Sequence, residues 1–174
     1  MVVAKVYVSI GSNIDRERHI TAALDALAEK FSELDISSVY ESEAVGFAGD
    51  NFFNLVAGFD TDKPVSALSA CLREIEHNNG RNRGQERFSA RTLDIDILTY
   101  DHCAGEVDGI VLPRAEILEN AFVLLPLAEI APDDEHPVER RSFSELWQAY
   151  SKQQKLWPVD FVWRRKQISK KQCV

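Results

Sequence analysis

The 174-residue chain predicts an α+β fold: a mostly antiparallel sheet backed by helices. Two observations carry that expectation. Apolar residues alternate with polar ones in four separate stretches, and they recur at helical spacing in two others. The helical stretches fall so that two strand-like stretches stand next to each other in the middle of the chain, which suits hairpin connections better than parallel crossovers.

Taken in order, Val6, Val8 and Ile10 alternate with Lys5, Tyr7 and Ser9, and Gly11-Ser12-Asn13 is expected to end this first strand. Ile20, Leu24, Leu27 and Phe31 then mark one stripe of a helix. Residues 34–42 read as a second strand and 43–51, with two glycines, as a loop. In 52–59, Phe53, Leu55, Ala57 and Phe59 share one strand face, and Phe52, Asn54 and Val56 share the other. Pro64 suits a first helical turn, Val65, Leu68, Leu72 and Ile75 follow at helical spacing, and Asn78-Asn79-Gly80 supplies a stop. LDIDILTY, 93–100, places Leu93, Ile95 and Ile97 on one face and Asp94 and Asp96 on the other. Asp101 to Gly109 reads as a polar turn region, 110–112 as a short extended piece and 114–131 as helical turns. Ser142 with Glu145 forms a capping box for a helix through Tyr150. The resulting β-α-β-β-α-β order is the ferredoxin-like plan, and it argues against a doubly wound sheet, which needs a helix between successive strands. Residues 1–157 are read as one domain and 158–174 as a basic C-terminal extension.

Apolar residues make up 45% of the chain and charged residues 28%, the balance of a globular protein. The net charge of −8 argues against a general binder of nucleic acid or anionic membranes. An RNA-binding sheet module is further disfavoured because its aromatic signature is missing. Cys71, Cys103 and Cys173 are odd in number and lack C-x-x-C spacing, which suits a reducing cytoplasm. No leader-like or membrane-length apolar run is apparent.

Charge is not spread evenly. Residues 81–91, RNRGQERFSAR, carry four arginines against one glutamate, and they lead directly into Asp94 and Asp96. Two carboxylates at i and i+2 of a strand leave the same face about 6–7 Å apart at the backbone. They repel unless a cation stands between them, and hard divalent ions with oxygen ligands meet that need. Arginines beside them can fork onto phosphate oxygens. Together these residues describe metal-assisted phosphoryl transfer. No Walker A or protein-kinase signature accompanies them.

The stretch R-F-S-A-R-T-L-D-I-D-I-L at 87–98 resembles the signature of the 6-hydroxymethyl-7,8-dihydropterin pyrophosphokinases, the HPPK family of folate biosynthesis. V-Y-V-S-I-G-S-N at 6–13 and F-V-L-L-P-L-A-E-I-A-P at 122–132 are similar to the same family, and the resemblance covers about residues 3–150. It implies transfer of pyrophosphate from ATP to the pterin hydroxymethyl group, releasing AMP. By position it makes Asp94 and Asp96 the ligands of two Mg²⁺ ions. Arg81 and Arg91 become catalytic phosphate contacts, with Arg83 and Arg87 as auxiliary ones. Ile97, Ile110, Val111 and Arg114 fall to the ATP side. Ser42, Glu43, Val45, Phe52, Asn54, Phe88 and Phe122 fall to the pterin, with Phe52 and Phe122 sandwiching the ring. ATP and the pterin are the implied partners, and a monomer is favoured.

Three positions depart from the family pattern. Arg114 stands where histidine is usual, Asn120 where arginine is usual, and Glu43 where many members have proline. They motivate an alternative expectation: a weakened relative that binds pterin or nucleotide, or that acts on a variant pterin.

Overall fold

The computed structural model describes residues 2–43, 49–80 and 92–172. In chain order the elements are β1 (Ala4–Ser12), α1 (Arg16–Phe31), β2 (Asp35–Ile36), β3 (Tyr40–Ser42), β4 (Phe52–Thr61), α2 (Val65–Asn78) and β5 (Asp94–Tyr100). There follow β6 (Gly105–Val107), β7 (Ile110–Leu112), α3 (Glu116–Glu119), α4 (Ala121–Ile130), α5 (Phe143–Ala149), β8 (Leu156–Pro158), β9 (Phe161–Trp163) and β10 (Lys166–Ser169). The main sheet runs β5-β1-β4-β3-β8, with β2 also on β4. All its pairings are antiparallel.

The sheet is covered on both faces. Val6, Val8, Ile10, Leu55, Phe59, Ile95 and Ile97 pack with the stripe Ile20, Leu24 and Leu27 of α1 and with Leu68, Leu72 and Ile75 of α2. On the other face Tyr7, Val56 and Leu98 pack with Ile117, Val123, Leu124, Leu127, Phe143 and Leu146. This second layer is built from α3, α4 and α5, where the sequence predicts helical turns over 114–131 and the helix that Ser142 caps.

Differences from the predicted elements are local. β1 continues through Gly11 to Ser12 instead of stopping before the glycine. The stretch 34–42 divides into β2 and β3, because Ser37 turns its side chain inward and accepts from the Val56 N–H at 2.9 Å. The polar region 101–109 contains β6, which pairs with β7 as a hairpin. Pro64 is the residue before α2 and not its first turn. Ser142 caps α5 as its spacing predicts, its hydroxyl accepting from Glu145 N–H at 3.1 Å. Residues beyond 157 fold onto the body of the protein: Phe161 is buried in the first core, and Ser169 Oγ accepts from Val39 N–H at 2.9 Å.

The turn before α5 holds a buried histidine. His136 is 3% exposed, and its Nδ1 accepts from the N–H groups of Val138 and Glu139 at 3.2 and 3.0 Å. Burial holds its pKa below the ordinary 6.5, against an opposing pull from Glu139. The unfolded chain therefore takes up this proton first as pH falls. Its contribution to stability is complete above about pH 6.5 and is lost as pH falls through the lowered folded value. Urea midpoints measured from about pH 8 to pH 5 should decline in the wild type and decline less in His136→Asn. Equal slopes would remove His136 as the cause.

Candidate active site

β1 lies between β5 and β4, and the register places Gly11 opposite both Asp94 and Asn54. Residues directly opposite in antiparallel strands project to the same face. Asp94, Gly11 and Asn54 thus form one row on the α4 side of the sheet. The carboxylate and the amide are two strand spacings apart, about 10 Å, over a residue without a side chain.

Asn54 is buried and oriented. Its Nδ2 donates to Ser42 Oγ at 2.7 Å, and its Oδ1 lies 3.0 Å from where a Cβ on Gly11 would sit. The edge of the Phe52 ring approaches the same point at 3.8 Å. Glycine suits this close approach, since a methyl group would press on the amide carbonyl and make it give by a few tenths of an ångström. Gly11→Ala should therefore displace the Asn54 carbonyl and lower stability by about 1 kcal/mol. Urea midpoints of the two proteins check this, and equal midpoints would count against it.

Asp94 and Asp96 are half-buried at the start of β5, which is the outer strand on this side. α2 secures that strand, because Glu76, 2% exposed, accepts from the Ile95 N–H at 3.0 Å. Beyond the β6–β7 hairpin, Arg114 N–H donates to the Leu98 carbonyl at 2.9 Å. Its guanidinium then bridges two acids, Asp96 Oδ1 at 2.9 Å and Glu116 Oε2 at 3.4 Å. A cation is thus already drawn to the aspartate pair.

The donor set fits magnesium. Both candidate ligands, Asp94 and Asp96, are carboxylates, the oxygen donors that a hard divalent cation takes. A site of two carboxylates completed by phosphate and water is the habit of Mg²⁺.

The structure brings Ser42, Phe52, Asn54, Asp94 and Asp96 to one face and sets Arg114 on Asp96. Phe122 is the second residue of α4, the helix laid over that face, and is half-buried. Glu43 lies beside Lys155, with Nζ and Oε1 3.9 Å apart. Ile97 points the other way, into the core beneath α1 and α2. Ile110 packs at the margin of that core, and Val111 is 64% exposed. Arg81, Arg83, Arg87, Phe88, Arg91 and Val45 lie outside the described residues. The residues flanking the arginine-rich stretch, Gly80 and Thr92, stand side by side.

Two features carry no clear signal in the sequence. One is Gly11, which the Gly-Ser-Asn run marks as a strand end. The other is Arg16, whose Nη1 donates to Glu41 Oε1 at 3.2 Å and to the Asn51 carbonyl at 3.0 Å, with its guanidinium 3.9 Å from the Phe53 ring centre. A cation in the first turn of a helix opposes the dipole and so signals a partner elsewhere. This one ties α1 to β3 and to the entry of β4.

Residues 7–132 match the model of the family 7,8-dihydro-6-hydroxymethylpterin-pyrophosphokinase (HPPK). The chain belongs to the HPPK family. It is 36% identical over 148 residues to the 2-amino-4-hydroxy-6-hydroxymethyldihydropteridine pyrophosphokinase of Aquifex aeolicus, covering 82% of this chain and 90% of that protein. With the Pseudomonas aeruginosa enzyme of the same name it shares 38% identity over 136 residues, 75% of this chain and 83% of the relative. Among solved structures, an HPPK-DHPS in complex with substrates superposes with a TM-score of 0.68 at 12% identity, over 86% of this chain and 44% of that one. A wild-type Plasmodium falciparum HPPK-DHPS gives 0.61 at 14%, over 86% and 45%. At such identities the likeness is one of fold, and this chain spans less than half of those chains. Among the described residues no helix is long and apolar enough to cross a membrane.

Proposed function

We propose that this HPPK-family chain is a transferase that moves pyrophosphate from ATP to 6-hydroxymethyl-7,8-dihydropterin, yielding AMP and the pterin diphosphate. The observation that carries this reading is the row Asp94–Gly11–Asn54. A buried, oriented amide and an aromatic edge stand at one end, a carboxylate pair at the other, with a residue that has no side chain between.

Each end has its own task. Asn54, fixed by Ser42, offers its carbonyl to the donor edge of a flat heterocycle, and a partly spent amide reads such an edge with little freedom. Phe52 from β4 and Phe122 from α4 supply the two faces of an aromatic sandwich. Glu43, Val45 and Phe88 complete this side on the strength of the family resemblance. Asp94 and Asp96 would hold magnesium, two ions in this reading, which when bound supplies Lewis-acid polarisation of the phosphate oxygens. Arg81, Arg83, Arg87 and Arg91 take the polyphosphate as forked donors, and Arg114 joins them from its place beside Asp96. Ile110 and Val111 serve the adenine side. Ile97 supports them from beneath.

The reaction is one in-line displacement. The pterin hydroxyl gives up its proton to solvent as its oxygen bonds to the β-phosphorus, the bond from that phosphorus to the α,β-bridging oxygen breaks, and AMP departs. Alignment of the two substrates accounts for most of the protein's contribution, since a rigid sheet holds both ends of the row. The strand order, with β2 and β3 together as one position, supports the ferredoxin-like plan as the frame. The same reading has the chain act as a cytoplasmic monomer, and the free thiols Cys71 and Cys103 suit a reducing compartment.

Incubation with ATP, Mg²⁺ and hydroxymethyldihydropterin should yield AMP and the pterin diphosphate in equal amounts. ADP as the sole nucleotide product would overturn the reaction type. Ternary binding without AMP release would reduce the chain to a binding protein.

A further inference from the structure

The family match ends at residue 132, yet three consecutive residues near the C-terminus touch both sides of the pterin end of the site. The backbone between α3 and α4 leaves a carbonyl at Glu119 and an N–H at Ala121 without helical partners, as helix ends do. Asn120, between them, does not cap α4 with its side chain. Gln154 does so from a distance. Its Oε1 accepts from Ala121 N–H at 2.7 Å, and its Nε2 donates to the Glu119 carbonyl at 3.3 Å. Tyr150 Oη donates to the same carbonyl at 2.8 Å. The next residue, Lys155, reaches Glu43, and Leu156 pairs with Ser42 in the β3–β8 ladder. Ser42 in turn holds Asn54.

We infer that Gln154 is a positioning residue for pterin recognition, setting the first turn of α4, and with it Phe122, against the Ser42–Asn54 side of the sheet. The inference rests on the pterin reading of that face. A side-chain amide suits this place because its acceptor meets the N–H and its donor meets the carbonyl, which no carboxylate or hydrocarbon does at both ends. Residues 154–156 thereby couple the helix that carries one aromatic wall to the strand that orients the amide.

The test compares Gln154→Met, Gln154→Glu and Tyr150→Phe with the wild type in pterin binding, pterin KM, kcat and affinity for a non-hydrolysable ATP analogue, together with Tm. Gln154→Met keeps the volume and loses both hydrogen bonds. It should raise pterin KM about tenfold, with ATP-analogue affinity within about twofold of wild type. Gln154→Glu keeps the acceptor for Ala121 and should recover part of the loss. Tyr150→Phe, which removes only a half-exposed hydroxyl, should fall between and keeps the question answerable if the other variants fold poorly. If all three variants match the wild type, or lose pterin and nucleotide affinity in parallel, Gln154 has no positioning role. Absence of pterin binding in the wild type would instead bring down the functional reading and this inference with it.

Discussion

Asp96→Asn is expected to lower AMP formation by roughly a thousandfold, the rate equivalent of the several kcal/mol that a metal's charge stabilisation contributes. The substitution is nearly isosteric and keeps an acceptor for Arg114, whose Nη2 now lies 2.9 Å from Asp96 Oδ1. It removes one of the two charges that would hold magnesium. Stability should barely change, because the ion pair has about a third of each side chain exposed (34% and 35%), and such pairs contribute at most about 1 kcal/mol. Pterin binding without nucleotide should also persist, since Asn54 and Phe52 stand two strands away. Steady-state turnover, calorimetry and thermal melts on one preparation separate these outcomes. Turnover within tenfold of wild type would show that Asp96 does not hold the metal.

Asn54→Ala is expected to act at the other end of the row. Its Oδ1 is lost as the acceptor over Gly11, and Ser42, 3% exposed, loses its amide partner. Leaving a buried hydroxyl unpaired costs about 1–3 kcal/mol of stability. The same magnitude applied to the substrate edge raises pterin KM about 10–100-fold. Affinity for the ATP analogue should stay within about twofold, because the carboxylate pair is untouched. A loss shared equally by pterin and nucleotide would mean that Asn54 acts only through the fold. The two variants together thus test whether the row is divided into two sites.

Much of this was legible in the chain. Alternation assigns Asp94 and Asp96 to a single face of β5, and Phe52 and Asn54 to a single face of β4, because side-chain direction in a strand depends only on parity. Ser142 and Glu145 announce the start of α5 for an equally local reason. That α3, α4 and α5 cover the second face of the sheet is harder to see, although Val56 and Leu98, apolar residues beside Asn54 and Asp96, are its trace. A sheet covered on both sides needs them, and a sheet with one wet side does not. Gly11 misled because glycine inside a strand usually marks its end, whereas here it marks a close approach by Asn54.

Local pattern thus settled the strands β1, β4 and β5, which way their side chains point, and that an arginine-rich stretch feeds a pair of aspartates. Which strands lie side by side is a matter of register, and register is set by cores that assemble residues far apart in the chain. That is why Asp94, Gly11 and Asn54 meet in one row only once β1 is seated between β5 and β4. It is also why Gln154, a polar residue in a stretch with no periodicity, acquires a role only when two helix ends need partners and find them 33 and 35 residues further along the chain.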